Sequence, residues 1–396
     1  MRRIYMDANA TTPLLPEVFE AMRPYWMEHY GNASSIHQQG QQARGAVEQA
    51  RSAVARFLHC LNSEIVFTSG GTESDNLALF GVLSNQAAPA HLITTTIEHH
   101  AVLHAAESLA KNKVEVTFLE CTAQGVIEPA ALKAALRPNT KLVSIMYANN
   151  ETGVIQPIAE LSAIAHEAGA LFHTDAVQAS GKLPLDLSTD GPLKHVDLLT
   201  LSGHKLYAPK GIGVLFVRRN VRLAPMLHGG THERQRRAGT ENVACIVGLG
   251  KAAELATTWL ATEAPAALTA LRDRFEQTIL TQIEDTGING GSASRVSNTS
   301  NLYFDHLEAE ALVIALDLKG LSVSGGSACQ SGAAEPSHVL TAMGLAPARA
   351  RASIRFSLSR LTTAEEIDEA LKIIPAAVAR LRELSPAYQR REPQTV

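Results

Sequence analysis

Lys205 ends the apolar, β-rich run Val196-Asp197-Leu198-Leu199-Thr200-Leu201-Ser202-Gly203-His204-Lys205, and a loop rich in glycine and proline (206–213) follows it. That pattern is a strand delivering a lysine to the edge of a sheet, where ligands of open α/β sheets bind. A lysine held there loses hydration and drops in pKa, which suits it to a Schiff base. Ser202 and His204 flank it with a hydroxyl and an imidazole, donors suited to a phosphate. Upstream, Phe172-His173-Thr174-Asp175-Ala176-Val177-Gln178 ends another strand on a carboxylate. A lysine imine plus an aspartate for a pyridinium nitrogen is the pairing expected of pyridoxal phosphate. Reading Lys205 as an ordinary surface lysine leaves these neighbours without a role.

Other stretches carry chemistry of the same kind. Ser69-Gly70-Gly71-Thr72 joins a strand to a helix start, where close backbone approach and free N–H groups favour an anion. Thr72 and Asp75 have the spacing of a capping box. Glu98-His99-His100 also opens a helix; it reads either as a capped start with exposed histidines or as an imidazole stacked on a flat cofactor. His100 and His104 have the i, i+4 spacing of a metal pair, but no third ligand accompanies them, and no metal is expected. Asn149-Asn150-Glu151-Thr152-Gly153 follows a strand, as a plain turn or as an amide aimed at cofactor or substrate. Ser324-Gly325-Gly326-Ser327-Ala328-Cys329-Gln330-Ser331-Gly332 displays a cysteine in a small, flexible loop, which favours a nucleophile that travels. Arg355 alternates with Ile354 and Phe356 on a strand, either as a surface residue or as a grip for a carboxylate.

Regular alternation of elements must position these residues. Strands are expected near 65–68, 92–96, 114–119, 141–146 and 170–173, with helices between them, then strands 196–201 and 213–217 joined by a loop alone. This predicts an α/β fold with a mostly parallel sheet flanked by helices and one antiparallel pair. A smaller α+β domain follows, with strands near 300–304, 321–324 and 353–357 and helices 307–318, 336–343 and 364–384. The division expected is an N-terminal arm 1–14 packing with the small domain, a large domain 15–258 and a small domain 259–396. The arm is read as extended rather than as a core element.

Composition narrows the partners. The 396 residues can bury a large core, and a net charge of −4 with 19% charged residues does not suggest nucleic acid or an anionic membrane. The basic group Arg234, Arg236 and Arg237 lies in a loop rich in glycine and histidine. The start of the chain has no apolar signal region, and no stretch reads as a membrane span. The four scattered cysteines fit a reducing cytoplasm.

Taken in order, the stretches resemble the cysteine desulfurases of the NifS/IscS type, fold type I pyridoxal phosphate enzymes of the class V aminotransferase family. They are Tyr5-Met6-Asp7, Asn9-Ala10-Thr11-Thr12-Pro13, Tyr30-Gly31-Asn32-Ala33-Ser34-Ser35-Ile36-His37, Thr68-Ser69-Gly70-Gly71-Thr72-Glu73-Ser74-Asp75-Asn76, Asn149 to Gly153, Ser202 to Lys205, Arg236-Arg237-Ala238-Gly239-Thr240, and Ser327-Ala328-Cys329 with Glu335-Pro336-Ser337-His338. The resemblance implies that Lys205 carries pyridoxal 5'-phosphate, Asp175 pairs with its ring nitrogen, Gln178 bonds the ring hydroxyl and His99 stacks on the ring. It implies that Gly71, Thr72, Ser202 and His204 hold the phosphate, with Thr240 from the partner of a homodimer. Asn150 and Arg355 would hold the substrate carboxylate, Asn150 also contacting the cofactor, and Cys329 would be the nucleophile. The implied reaction takes L-cysteine to L-alanine and leaves a persulfide on Cys329 for a sulfur acceptor, in iron–sulfur cluster assembly or other thiolation. His100 and the C-terminal tail depart from the family pattern, so neither the role of His100 nor the acceptor is specified. A selenocysteine lyase, or another enzyme on the same fold, is the alternative. An aminotransferase has no need of Cys329, and a silent scaffold has no need of Lys205, Asp175 and Cys329 together.

Overall fold

The computed structural model describes residues 3–84, 89–325, 336–385 and 388. Cys329 lies outside them. Among the described residues the chain opens with strand β1 (Ile4–Tyr5) and continues through β2 (Ile65–Thr68), β3 (His91–Thr95), β4 (Glu115–Leu119), β5 (Thr140–Ser144), β6 (Leu171–Asp175), β7 (Leu198–Ser202) and β8 (Gly213–Val217). Strands β2 to β8 form a seven-stranded sheet in the order β2-β8-β7-β6-β5-β3-β4. All its pairings are parallel except those of β8, which runs antiparallel to both β2 and β7. That is the antiparallel element expected where a loop alone joins two strands. Strands β6, β7 and β8 are buried almost throughout because both faces of the sheet are covered.

The chain order reverses beside β3, with β4 on one side and β5 on the other. Such a reversal opens a crevice at the carboxyl ends of the strands. The helix Val243–Leu260 is long and apolar enough to cross a bilayer by composition, but half of it is buried in the fold. It packs on helix Gln38–Phe57, and a Cβ on Gly250 would lie 2.7 Å from the Cα of Ala50, so the close approach requires glycine.

The second half adds β9 (Thr286–Ile288), β10 (Thr299–Phe304), β11 (Leu321–Ser322), β12 (Ser324–Gly325) and β13 (Ser353–Ser357). Four of them form an antiparallel sheet, β12-β13-β10-β9, over a separate apolar core that includes Phe275, Phe304 and Phe356. Strand β1 pairs in parallel with β11. Ile4 and Met6 are buried in this second core, so the N-terminal segment is a core element and not merely an extended arm. The alternation of apolar Ile4 and Met6 with Tyr5 is what the small, polar look of the following residues conceals.

Candidate active site

Lys205 and Asp175 arrive at the same place from neighbouring strands. Asp175 is the last residue of β6 and pairs in register with Thr200 of β7. Strand β7 runs straight into the single turn Gly203–Lys205. Both side chains line a cavity of about 330 Å³ at the carboxyl ends of the strands. Lys205 Nζ donates to the backbone oxygens of Asn9 and Ala10, the latter at 2.6 Å. Gly71, Thr72, His99, Asn150, Gln178, Ser202, His204 and Arg355 line the same cavity, so it gathers all the expected site residues but two. Thr240 is exposed on its loop and does not line the cavity, and Cys329 lies outside the described residues.

One end of the cavity is built for negative charge. Gly71 is the first residue of helix Gly71–Leu83, whose leading N–H groups have no acceptor within the helix. A Cβ on Gly71 would lie 3.1 Å from Val177 Cγ2, so glycine keeps the floor open. The expected capping box is absent: Gly70 is the N-cap without a side-chain bond, and Asp75 is buried in the cavity wall instead. Burial, with Lys205 and Lys210 nearby, pushes His204 down to about 4, so its imidazole is neutral, and its Nδ1 lies 3.2 Å from Thr11 Oγ1.

Part of the surround is carboxylic. Asp75, Glu98 and Asp175 are all buried there or directly behind it. Burial raises Asp75, and the neighbouring Asp175 raises it further. Burial pushes Glu98 up to about 8 despite bonds from Thr95 Oγ1 at 2.8 Å and Met146 N at 2.9 Å. Burial also raises Asp175, against the pull of the Val177 N–H and of Lys205. Burial and mutual repulsion disfavour ionising all three carboxyls together, and Lys205 is the cation that favours the charged form of Asp175. Behind them His173 bonds Ser144 Oγ at 2.8 Å and Thr200 Oγ1 at 3.1 Å, and burial pushes it down to about 3.

His99 caps its own helix, its Nδ1 accepting from Ala101 N at 3.2 Å, as the capped start predicts. Burial first, then Lys205 and the other histidines, push it down to about 4, so it too is neutral. The His100 ring centroid lies 5.0 Å from that of His104 and 4.8 Å from that of His338.

The third side of the cavity comes from the small sheet. Arg355 on β13 is buried, not a surface residue; its Nη1 donates to Asn150 O at 3.0 Å and its Nη2 to Asp7 Oδ1 at 2.9 Å. Its Nε and Asn150 Oδ1 are buried with no hydrogen-bond partner among the described residues. Of the asparagine pair, Asn149 is structural: its side chain holds Ile97 O and the N–H groups of Glu151 and Thr152. Ser337, just beyond the cysteine stretch, caps helix His338–Ala342 and donates to Glu151 Oε2 at 2.5 Å. His338 Nε2 lies 2.9 Å from Glu98 O. These two contacts tie Ser337 and His338 to the cavity wall.

The family model for class-V aminotransferases matches residues 4–370. Cysteine desulfurase 2 of Trichormus variabilis is 52% identical over 386 residues, covering 98% of this chain and 96% of that protein. Cysteine desulfurase IscS of Methanosarcina thermophila is 47% identical, covering 97% of this chain and 94% of the relative. The chain is a class-V aminotransferase of the cysteine desulfurase family. Among solved structures, a NifS-like protein superposes with a TM-score of 0.88 at 35% identity, covering 96% of this chain and 100% of that one. SspA in complex with cysteine superposes at 0.80 with 37% identity, covering 91% and 100%. Class-V aminotransferases are generally dependent on pyridoxal phosphate.

Several residues of this desulfurase site escaped sequence reasoning. Asn9 is buried, bonds Asn150 O at 3.1 Å, Thr299 Oγ1 at 2.9 Å and Asn298 Nδ2 at 3.0 Å, and offers its carbonyl to Lys205 and Gln178. Glu151 and His338 also line the cavity, and burial pushes Glu151 up to about 7. No local pattern announces them, because their burial comes from partners far along the chain.

Proposed function

We propose that this chain binds pyridoxal 5'-phosphate and uses it to convert L-cysteine to L-alanine, with the sulfur kept as a persulfide on Cys329. The observation that carries the reading is the meeting of Lys205, Asp175 and Arg355, from two sheets, in one cavity. The donor set fits the cofactor. Lys205 offers a primary amine to its aldehyde, and the crowded carboxyls suit a protonated ring nitrogen. Gly71, Thr72, Ser202 and His204 would hold the phosphate at a helix start. Gln178 would bond the ring hydroxyl, Asn150 would touch the same ring and His99 would cover one face.

When bound, pyridoxal phosphate withdraws electrons from the substrate Cα. Asp175 would hold negative charge beside the ring nitrogen, and burial away from water would strengthen that contact. Arg355 grips the substrate carboxylate with its open Nε, and Asn150 assists by turning its amide. Lys205 Nζ takes the Cα proton. The Cys329 thiolate attacks the substrate sulfur; an S–S bond forms as the C–S bond breaks, and the carbon leaves protonated as alanine. The other three thiols are poor candidates: burial raises Cys245 and pushes Cys60 up to about 12 and Cys121 up to about 11.

A homodimer supports the phosphate site, with Thr240 supplied by the partner. Trp26, Met27, Tyr30 and Ile36 are exposed, Ile36 at 94%, and Ser34, two residues before Ile36, meets the loop that carries Thr240 through a 3.3 Å contact of its Oγ with His232 Nε2. Exposed apolar clusters of this kind mark interfaces. We read residues 15–258 as the cofactor-binding unit and 259–396, with the 1–14 segment, as the unit that brings Arg355 and Cys329; the separate second core supports that division. A reducing cytoplasm fits the unpaired Cys60, Cys121 and Cys245. The acceptor would serve iron–sulfur assembly or other thiolation.

The test is turnover of L-cysteine by the purified protein, after its visible spectrum is recorded. A yellow protein that makes alanine and sulfide under thiol reductant supports the proposal. A yellow protein that makes neither overturns the choice of substrate.

A further inference from the structure

Gln178 does not choose its own orientation. It sits in the turn after β6, where Ser180 N donates to Ala176 O at 2.9 Å and Lys182 N to Ala179 O at 3.0 Å. Gly181 closes the turn at a φ of +68°, and a Cβ there would lie 2.5 Å from Leu206 Cδ1, so only glycine permits this reversal. The reversal returns the half-buried Lys182 to Gln178, and its Nζ donates to Gln178 Oε1 at 2.7 Å. On its other side Gln178 Nε2 donates to Asn9 O at 3.1 Å, the same carbonyl that accepts from Lys205 Nζ.

We propose that Lys182 is a positioning residue that locks the Gln178 amide with its NH₂ group toward the cavity, as a donor to the cofactor ring oxygen. This rests on the pyridoxal phosphate reading above. As an ammonium Lys182 has three donors and no acceptor, so it meets only the carbonyl end of an amide; as a neutral amine it still donates to Gln178 Oε1, and the Asn9 carbonyl then opposes the flip. With Lys182 in place, a flipped Gln178 would set Nε2 against the ammonium and Oε1 against the Asn9 carbonyl. Both contacts would be repulsive. The NH₂ group retains a second hydrogen beyond the one given to Asn9, and Gln178 lines the cavity. A ring oxyanion is the acceptor that this hydrogen suits.

Lys182 sits among cations. The charged groups that bear on it, Lys205 and Arg355, are cationic, and Arg360 shares a void of about 20 Å³ with it. Burial and these cations push Lys182 down to about 7, so the position costs stability as an ammonium. Among its described hydrogen bonds, the side chain makes the one to Gln178.

The experiment measures pyridoxal phosphate affinity of the full-length protein from its visible band, for wild type, Lys182→Met, Lys182→Arg, Gln178→Ala and the Met/Ala double variant. Lys182→Met is expected to weaken affinity about tenfold, the scale of one charge-assisted bond. Gln178→Ala is expected to do the same, and the double variant to be no worse than Gln178→Ala alone. Lys182→Arg, which also only donates, restores affinity. Gln178→Glu tests the point without touching Lys182: the carboxylate keeps its lysine partner but cannot donate, so affinity falls. A lysine that merely fills space would give additive losses and no rescue by arginine, which overturns the proposal. Lys182→Met with wild-type affinity overturns it too. A wild-type protein that binds no pyridoxal phosphate overturns the functional reading and this inference together.

Discussion

Arg355 Nη2 lies 2.9 Å from Asp7 Oδ1, which ties the last strand of the small sheet to the N-terminal segment at the cavity wall. The pair is nearly dry on the arginine side, with side-chain exposures of 3% and 19%. It fixes the guanidinium plane while Nε has no partner among the described residues. Arg355→Ala is therefore expected to raise KM for L-cysteine about a hundredfold, a loss on the scale of two tenfold steps. Arg355→Lys keeps the charge but loses the fork and recovers only part of it. Steady-state kinetics check this, and an unchanged KM removes Arg355 from the substrate site.

Cys329→Ser is expected to keep the yellow colour and to bind cysteine, since the described residues lining the cavity, Lys205, Asp175 and Arg355 among them, are unaltered. Sulfide release should fall to background, because the serine hydroxyl cannot carry sulfane sulfur. Normal sulfide production by this variant contradicts the assignment of the nucleophile.

Glu98 sets a pH dependence of stability. Its pKa is about 8 in the fold because of burial, against an ordinary value of 4.5. The folded chain therefore holds a proton that the unfolded chain releases. The stability from this group is full below about pH 4.5 and is lost as pH rises toward 8, with a slope of at most about 1.4 kcal/mol per pH unit. Glu98→Gln mimics the protonated acid. Its melting temperature, measured without cofactor between pH 5 and 8, should fall less with rising pH than that of the wild type. Parallel curves contradict this origin.

Glu233 anchors the loop that carries Thr240. Its carboxylate takes Arg51 Nη1 at 2.8 Å and Nη2 at 2.9 Å, and accepts from Phe67 N at 2.9 Å. Glu233→Ala strips the buried Arg51 of its bidentate carboxylate, leaving it Glu48 Oε1 and Ile65 O, and leaves Phe67 N unpaired, which costs about 3 kcal/mol. Urea unfolding reads this directly; a loss below about 1 kcal/mol means that water reaches Arg51.

The parts of the site that follow from local rules were legible in the sequence. Lys205 and Asp175 end apolar runs, and a parallel sheet places such ends side by side. The helix start at His99 follows from its cap. What was not legible depends on long-range packing. Asp75 looks like a capping residue three positions after Thr72, yet the helix begins earlier, at Gly71, and turns Asp75 inward. Asn9 sits in a segment of small polar residues, and its burial comes from Asn298, Thr299 and Ser357, hundreds of positions away in the chain. Lys182 shows its partner only because Gly181 reverses the chain, which no periodic pattern announces.

The most direct measurement is the mass of the peptide containing Cys329 after one turnover. Full-length protein with bound cofactor is mixed with L-cysteine in the absence of reductant, free thiols are blocked, and the peptides are weighed. The expected result is a gain of one sulfur atom on the Cys329 peptide, with an equal amount of alanine in solution and no gain on the peptides of Cys60, Cys121 or Cys245. Alanine released with no sulfur on Cys329, or with the added sulfur on another cysteine, contradicts the central claim.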